Sequence, residues 1–132
     1  MTMKIKVVDC LEWKAPDQPG ELLRFVAAFA DEGVDLDILY NCGSGGSIGA
    51  AAKKPAKLAA ALKELGVKAA PCKCLYLTGK DKTGAMVKAM RKLAAAKINV
   101  EYCTVLAAKG KFGAVLWVAD SALPKAAKLL KA

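Results

Sequence analysis

The chain has 132 residues, enough for one ordinary domain or for two small units that lean on each other to bury a core. Its net charge of +9, from 21 Lys and Arg against 12 Asp and Glu, favours solubility and attracts polyanions without naming a fold. There is no histidine to serve as a base near neutral pH, and no apolar run approaches the ~20 residues of a bilayer span, so enzyme chemistry and a membrane helix are both set aside.

Hydrophobic residues make up 55% of the chain, but many are alanine, so the core falls to the fewer Leu, Ile, Val, Met and Phe. The Lys residues recur in Ala-rich stretches, Lys53 to Lys63 and Lys125 to Lys131, and read as solvated helix faces. The five cysteines, at 10, 42, 72, 74 and 103, form no disulfide framework. With Met1 to Lys6 leading straight into a strand pattern, they place the chain in a reducing cytoplasm, with the thiols as small buried hydrophobes.

The first run, Lys4 to Trp13, is strand-like and is broken by Ala15-Pro16 and Gln18-Pro19-Gly20. A helix follows over 20–32, with Leu22, Val26, Phe29 and Ala30 on one face, Pro19 suited to the first helical position and Gly33 to a left-handed stop. Val34 to Cys42 reads as a strand, Gly43 to Ser47 as a turn, and Ile48 to Lys53 as an Ala-rich strand. Pro55 opens a second helix with a Leu58, Leu62, Leu65 stripe that Gly66 closes.

The order then repeats. Cys72 to Thr78 is a strand and 84–96 a helix facing inward with Met86, Met90, Leu93 and Ala94. Ile98 to Leu106 is a strand, Lys109 to Lys111 a turn and Phe112 to Val118 a strand. Ser121 is placed to cap a last helix carrying Leu123, Ala126, Ala127 and Leu130. A shift of 64 lays Gly20 on Gly84, Leu22 on Met86, Val34 on Ile98 and Ile48 on Phe112, which predicts two units, 1–70 and 71–132. Val67 to Ala70 offers the first unit a fourth strand. The second has none of its own, and the long N-terminal strand or a second chain is expected to cover that edge.

Two matched loops anchor the functional reading: Asp17-Gln18-Pro19-Gly20 and Asp81-Lys82-Thr83-Gly84, each between a strand and a helix. A helix N-terminus offers unpaired N–H groups and positive potential, a seat for a carboxylate, and glycine lets a ligand approach the backbone. The plainer role of each Asp is a helix N-cap, and of each Gly the turn itself.

The element order, the Asp-x-Pro-Gly-x-Leu loop (Asp17, Pro19, Gly20, Leu22) and the Gly33-Val34-Asp35-Leu36 entry to the next strand resemble the ACT domain. The second unit echoes this with Asp81, Gly84, Met86 and Lys97-Ile98-Asn99-Val100; Thr83 replaces the loop Pro, and Asp35 the usual Asn of the first unit. The resemblance covers nearly the whole chain and extends to small stand-alone tandem ACT proteins. It implies an α+β fold of two ferredoxin-like βαββαβ units, antiparallel sheets with helices on one face. It also implies a free amino acid held at the seam of two units or of a homodimer, an allosteric, regulatory role, and a regulated enzyme among the candidate partners. The residues carried over as ligand-binding are Asp17, Gln18, Pro19, Gly20, Glu21, Leu22, Asp35 and Leu36 in the first unit. In the second they are Asp81, Lys82, Thr83, Gly84, Ala85, Met86, Asn99 and Val100. No catalytic residue, cofactor or metal is expected. Cys72-x-Cys74 puts two thiols on one strand face, and without histidine these lack the usual company of a zinc site.

The main rival is an RNA-recognition motif, which shares the βαββαβ order. Leu75 to Gly79 and Lys109 to Val115 stand where that family keeps its stacking aromatics. Lys111 interrupts the pattern and Ala114 replaces the second aromatic, so nucleic acid is not the expected partner. A structural or assembly module without ligand is the third class.

Overall fold

A computed structural model of the chain describes residues 3–42 and 46–132, so the 43–45 part of the Gly43 to Ser47 turn lies outside the described residues. The elements run β1 (Lys4–Lys14), α1 (Glu21–Asp31), β2 (Leu36–Cys42), β3 (Ser47–Ala52), α2 (Pro55–Glu64) and β4 (Ala70–Lys80). They continue with α3 (Val87–Ala95), β5 (Val100–Ala108), β6 (Lys111–Val118) and α4 (Leu123–Leu130). The chain separates into two compact units, Asp9–Cys72 and Met1–Val8 with Lys73–Ala132. Both long strands are therefore divided: residues 4–8 of β1 belong with the C-terminal unit, and residues 70–72 of β4 with the other.

In the Asp9–Cys72 unit the strands lie in the order β2-β3-β1-β4, with β3 antiparallel to both β1 and β2. Alternation along β1 turns Trp13 inward, where it meets Phe25 and Phe29 of α1 at ring-centroid distances of 5.1 and 6.0 Å. Ile48, Leu58 and Leu62 close this core beneath the two helices. The expected inward face of α1 is thus rotated. Phe25 and Phe29 are buried, while Leu22, Val26 and Ala30 are exposed. Two apolar stripes compete on this helix, and the one that stacks on Trp13 buries the larger rings. Pro19 lies in the turn ahead of α1, and Gly20, at φ +92°, is the cap residue. Gly33 does adopt the left-handed conformation, at φ +68°. The fourth strand begins at Ala70 and runs through Pro71, later than the expected Val67 start.

In the C-terminal unit the order is β1-β4-β6-β5, with β6 antiparallel to β4 and β5. The strand that the C-terminal half does not supply comes from residues 4–8, and Ile5 packs against the core of Leu75, Leu77, Leu93, Phe112, Leu116 and Leu130. Along β6 the alternation is strict, with Phe112, Ala114, Leu116 and Val118 all buried. Ser121 does not cap α4: its cap residue is Ala122, with no side-chain cap bond. Both units carry a register irregularity at the same place, between Leu36 and Ile38 and between Val100 and Tyr102. The hairpins differ. Trp13 pairs with Ile48 and Leu77 with Ala114, so Ile48 corresponds to Ala114 and not to Phe112. The β5–β6 hairpin is two residues longer than its counterpart, which a constant shift of 64 cannot represent. Each unit is an antiparallel sheet with helices on one face, as the resemblance to the ACT domain implies.

Candidate functional site

In the Asp9–Cys72 unit, Asp17, Gln18, Pro19 and Gly20 are exposed, Glu21 is half-buried and ion-paired to Arg24 at 3.4 Å, and Leu22 is exposed. No side chain caps α1, so Asp17 does not take the plainer role. In the first helical turn the Glu21 N–H donates to the Gln18 carbonyl at 3.4 Å and the Arg24 N–H to the Gly20 carbonyl at 3.0 Å. Asp35 is exposed and its carbonyl accepts the Lys53 N–H at 2.9 Å, while Leu36 is half-buried at the start of β2.

In the C-terminal unit the loop is more tightly built. The Asp81 N–H donates to the Gly110 carbonyl at 2.9 Å, the Ala85 N–H to Lys82 at 3.1 Å and the Val87 N–H to Gly84 at 3.0 Å. Gly84 sits at φ +74°, a conformation that favours glycine. Asp81, Lys82, Thr83, Gly84 and Asn99 are exposed, whereas Ala85, Met86 and Val100 are half-buried against the core. No side chain caps α3 either.

This second loop opens on a cavity of about 810 Å³. Lys82, Gly84 and Ala85 form part of its wall; Asp81, Thr83, Met86, Asn99 and Val100 do not. Its floor is apolar, with Ile5, Ala89, Phe112 and Leu130, and its rim carries Lys80, Lys88, Lys92 and Lys131 besides Lys82. Gly79 completes the floor because Phe112 lies against it: a Cβ there would stand 2.9 Å from Phe112 Cε1. The sequence reading missed the four further lysines. Their signal was present in part, since Lys88 and Lys92 are one helical turn apart directly after Gly84.

The Asp9–Cys72 unit carries two other polar features. The Tyr40 hydroxyl donates to Glu12 at 2.5 Å, reaching across Gly49, which pairs with both residues, and lies 3.9 Å from Cys72 Sγ. Burial, then the bond to Glu12, pushes the Tyr40 phenol up. A hydrogen bond to Cys10, then burial, does the same to the Cys72 thiol. A cleft of about 330 Å³ is lined by Asp31, Glu32 and Glu64, and Glu32 is raised by its hydrogen bond to Glu64 and by that residue's charge. Cys10, Cys72, Cys74 and Cys103 are thiols; the first three are buried or half-buried, but Cys103 is exposed on β5. Phe112, one of the aromatics on which the RNA reading relied, is a core residue. No helix among the described residues is long and apolar enough to cross a membrane.

No family model matches the sequence, and no curated protein matches it. Solved structures do. A protein of Bacteroides thetaiotaomicron superposes with a TM-score of 0.81 at 20% identity, over 96% of this chain and 88% of that one. The ligand-free regulatory subunit of aspartate kinase from Thermus thermophilus gives 0.63 at 16% identity, over 98% and 94%. Aspartokinase III of E. coli, crystallised with lysine and aspartate, gives 0.61 at 14% identity; 99% of this chain matches 32% of that enzyme. At these identities the likeness establishes an ACT-like, ferredoxin-type fold.

Proposed function

We propose that the chain is a regulatory module without catalytic chemistry of its own, built from two tandem ACT-like units that hold a free amino acid on their strand-to-helix loops. The observation that carries this reading is the second loop, Asp81 to Met86, whose Lys82, Gly84 and Ala85 open on a cavity. The fold likeness to an aspartate kinase regulatory subunit over nearly the full length of both chains supports it.

In this reading the α-carboxylate sits against loop and first-turn N–H groups, with Gly20 and Gly84 permitting close approach. Asp17, Asp35 or Asp81 meets the ammonium, and the Asn99 amide, which both donates and accepts, orients the rest. Where one ligand touches two such units, in one chain or in two copies of it, it favours the arrangement that it binds better. A partner enzyme or a second copy reads out the change.

The test is titration calorimetry of the whole chain with each of the twenty amino acids up to millimolar concentration. A saturable heat for one or a few is expected, with a stoichiometry that tells one ligand per chain from one per pair. Silence across all twenty sinks the reading.

A further inference from the structure

The chain's positive charge is not evenly spread. Met1–Val8 with Lys73–Ala132 carries 14 Lys and Arg against 3 Asp and Glu, a net +11, while Asp9–Cys72 carries 7 against 9, a net −2. Within the basic unit, five lysines line one cavity. Lys80 and Lys82 come from the end of β4 and the loop after it, Lys88 and Lys92 from one face of α3, and Lys131 from the end of α4. Among the described residues, no carboxylate lines that cavity and none of these five lysines is in an ion pair.

Like charges gathered around one concavity repel, and a low-dielectric apolar floor sharpens their field. Ordinary surface lysines diverge into solvent or pair with acids. These five line a volume large enough for a small organic molecule. We propose that this cavity is a binding site for an organic polyanion, a small molecule bearing two or more phosphate or carboxylate groups on an apolar frame. The anionic groups take charge-assisted hydrogen bonds from the lysine ammoniums, and the frame rests on Ile5, Phe112 and Leu130. An amino acid held at the loop turns its ammonium to Asp81, outside this wall, whereas a polyanion needs no acid and uses the lysines themselves. The site therefore goes beyond the amino-acid reading and stands whether or not the loops bind an amino acid.

The experiment is calorimetric titration of the full chain with pyrophosphate and with citrate at fixed ionic strength. The wild-type chain binds at least one of them saturably, one per chain, and the tighter of the two names the anionic group. Replacing Lys88→Gln together with Lys92→Gln weakens binding roughly tenfold or more, since two charge-assisted contacts are lost. The pair Lys80→Gln and Lys82→Gln provides the same readout from a different element, should the first pair disturb α3. The control is Lys125→Gln with Lys128→Gln, exposed on α4 and outside the cavity, which removes the same charge from the same unit. It leaves affinity within about twofold. The proposal is overturned if neither anion saturates, or if the control pair weakens binding as much as the cavity pairs, which would mean diffuse attraction to a basic surface.

Discussion

Gly49 is the position where one methyl group has the largest calculable consequence. A Cβ there would stand 2.0 Å from Tyr40 Cζ, 2.2 Å from its hydroxyl oxygen and 2.3 Å from Cε1, so the ring must leave its place. Leaving means giving up the bond to Glu12, about 1.5–3 kcal/mol for a bond to a charged group, and ring packing worth about 0.5–1.5 kcal/mol. Alanine returns about 0.4–1 kcal/mol by restricting the unfolded chain. Gly49→Ala should therefore destabilise by roughly 1–4 kcal/mol. The assay is urea unfolding of four proteins: the wild type, Gly49→Ala, Tyr40→Ala and the double variant. With the ring removed its three nearest obstacles are gone, so in the Tyr40→Ala background the substitution becomes neutral to stabilising, by up to about 1 kcal/mol. Equal costs in both backgrounds would refute the account, because the clash would then not be with Tyr40.

The same tyrosine sets a pH dependence. Its folded-state phenol is raised above its ordinary value of 10.0, so its contribution is intact below pH 10 and is lost as pH climbs above it, where the unfolded chain releases the proton and the folded one keeps it. The nearby Cys72, also raised, adds in the same direction from its ordinary value of 9.0 upward, so the diagnostic is the difference between the wild type and Tyr40→Phe in urea midpoints at pH 8 and pH 11. Phe112→Ala, at a core position 6% exposed, should cost about 3–5 kcal/mol, whereas Leu106→Ala, 73% exposed on β5, should stay within about 0.5 kcal/mol in the same unfolding assay. Gly84→Val meets only ordinary contact, its nearest neighbour being Val87 Cγ2 at 3.6 Å, but a β-branched residue at φ +74° costs about 1–3 kcal/mol. It should abolish any amino-acid heat seen with the wild type while near-native circular dichroism is retained.

Much of the fold is legible because its signals are local. Gly33, Gly66 and Gly84 stand at left-handed positions where only the glycine matters, and the period of two along Phe112, Ala114, Leu116 and Val118 needs no partner to be read. The failures come where the deciding partner is distant in sequence. On α1, the stripe through Leu22 and Val26 competes with the one through Phe25 and Phe29, and the choice rests on Trp13, supplied by β1. The longer second hairpin is hidden because its two additional cross-strand pairs, Ala107 with Phe112 and Ala108 with Lys111, join ordinary strand residues. Lys131 could not be grouped with Lys88 from the sequence, since 43 positions separate them and only the packing of α4 beside α3 brings both to one cavity.

Charge divides the two units more sharply than their shared strand order would lead one to expect. In Asp9–Cys72 the cleft lined by residues of α1 and α2 carries Asp31, Glu32 and Glu64, and Glu32 holds its proton more tightly because Glu64 is beside it. In the C-terminal unit the walls supplied by α3 and α4 carry lysines and no acid. Backbone hydrogen bonding and apolar periodicity fix the common architecture and are indifferent to the sign of the solvent-facing residues, so duplicated strand-and-helix plans can diverge in charge at little cost to the fold. Ligand chemistry is sensitive to the sign. An anion that enters the lysine cavity is repelled by three carboxylates at the acidic cleft, so two units of one architecture do not present two equal sites. A stoichiometry of one polyanion per chain follows from that inequality, and two equivalent sites per chain would contradict it.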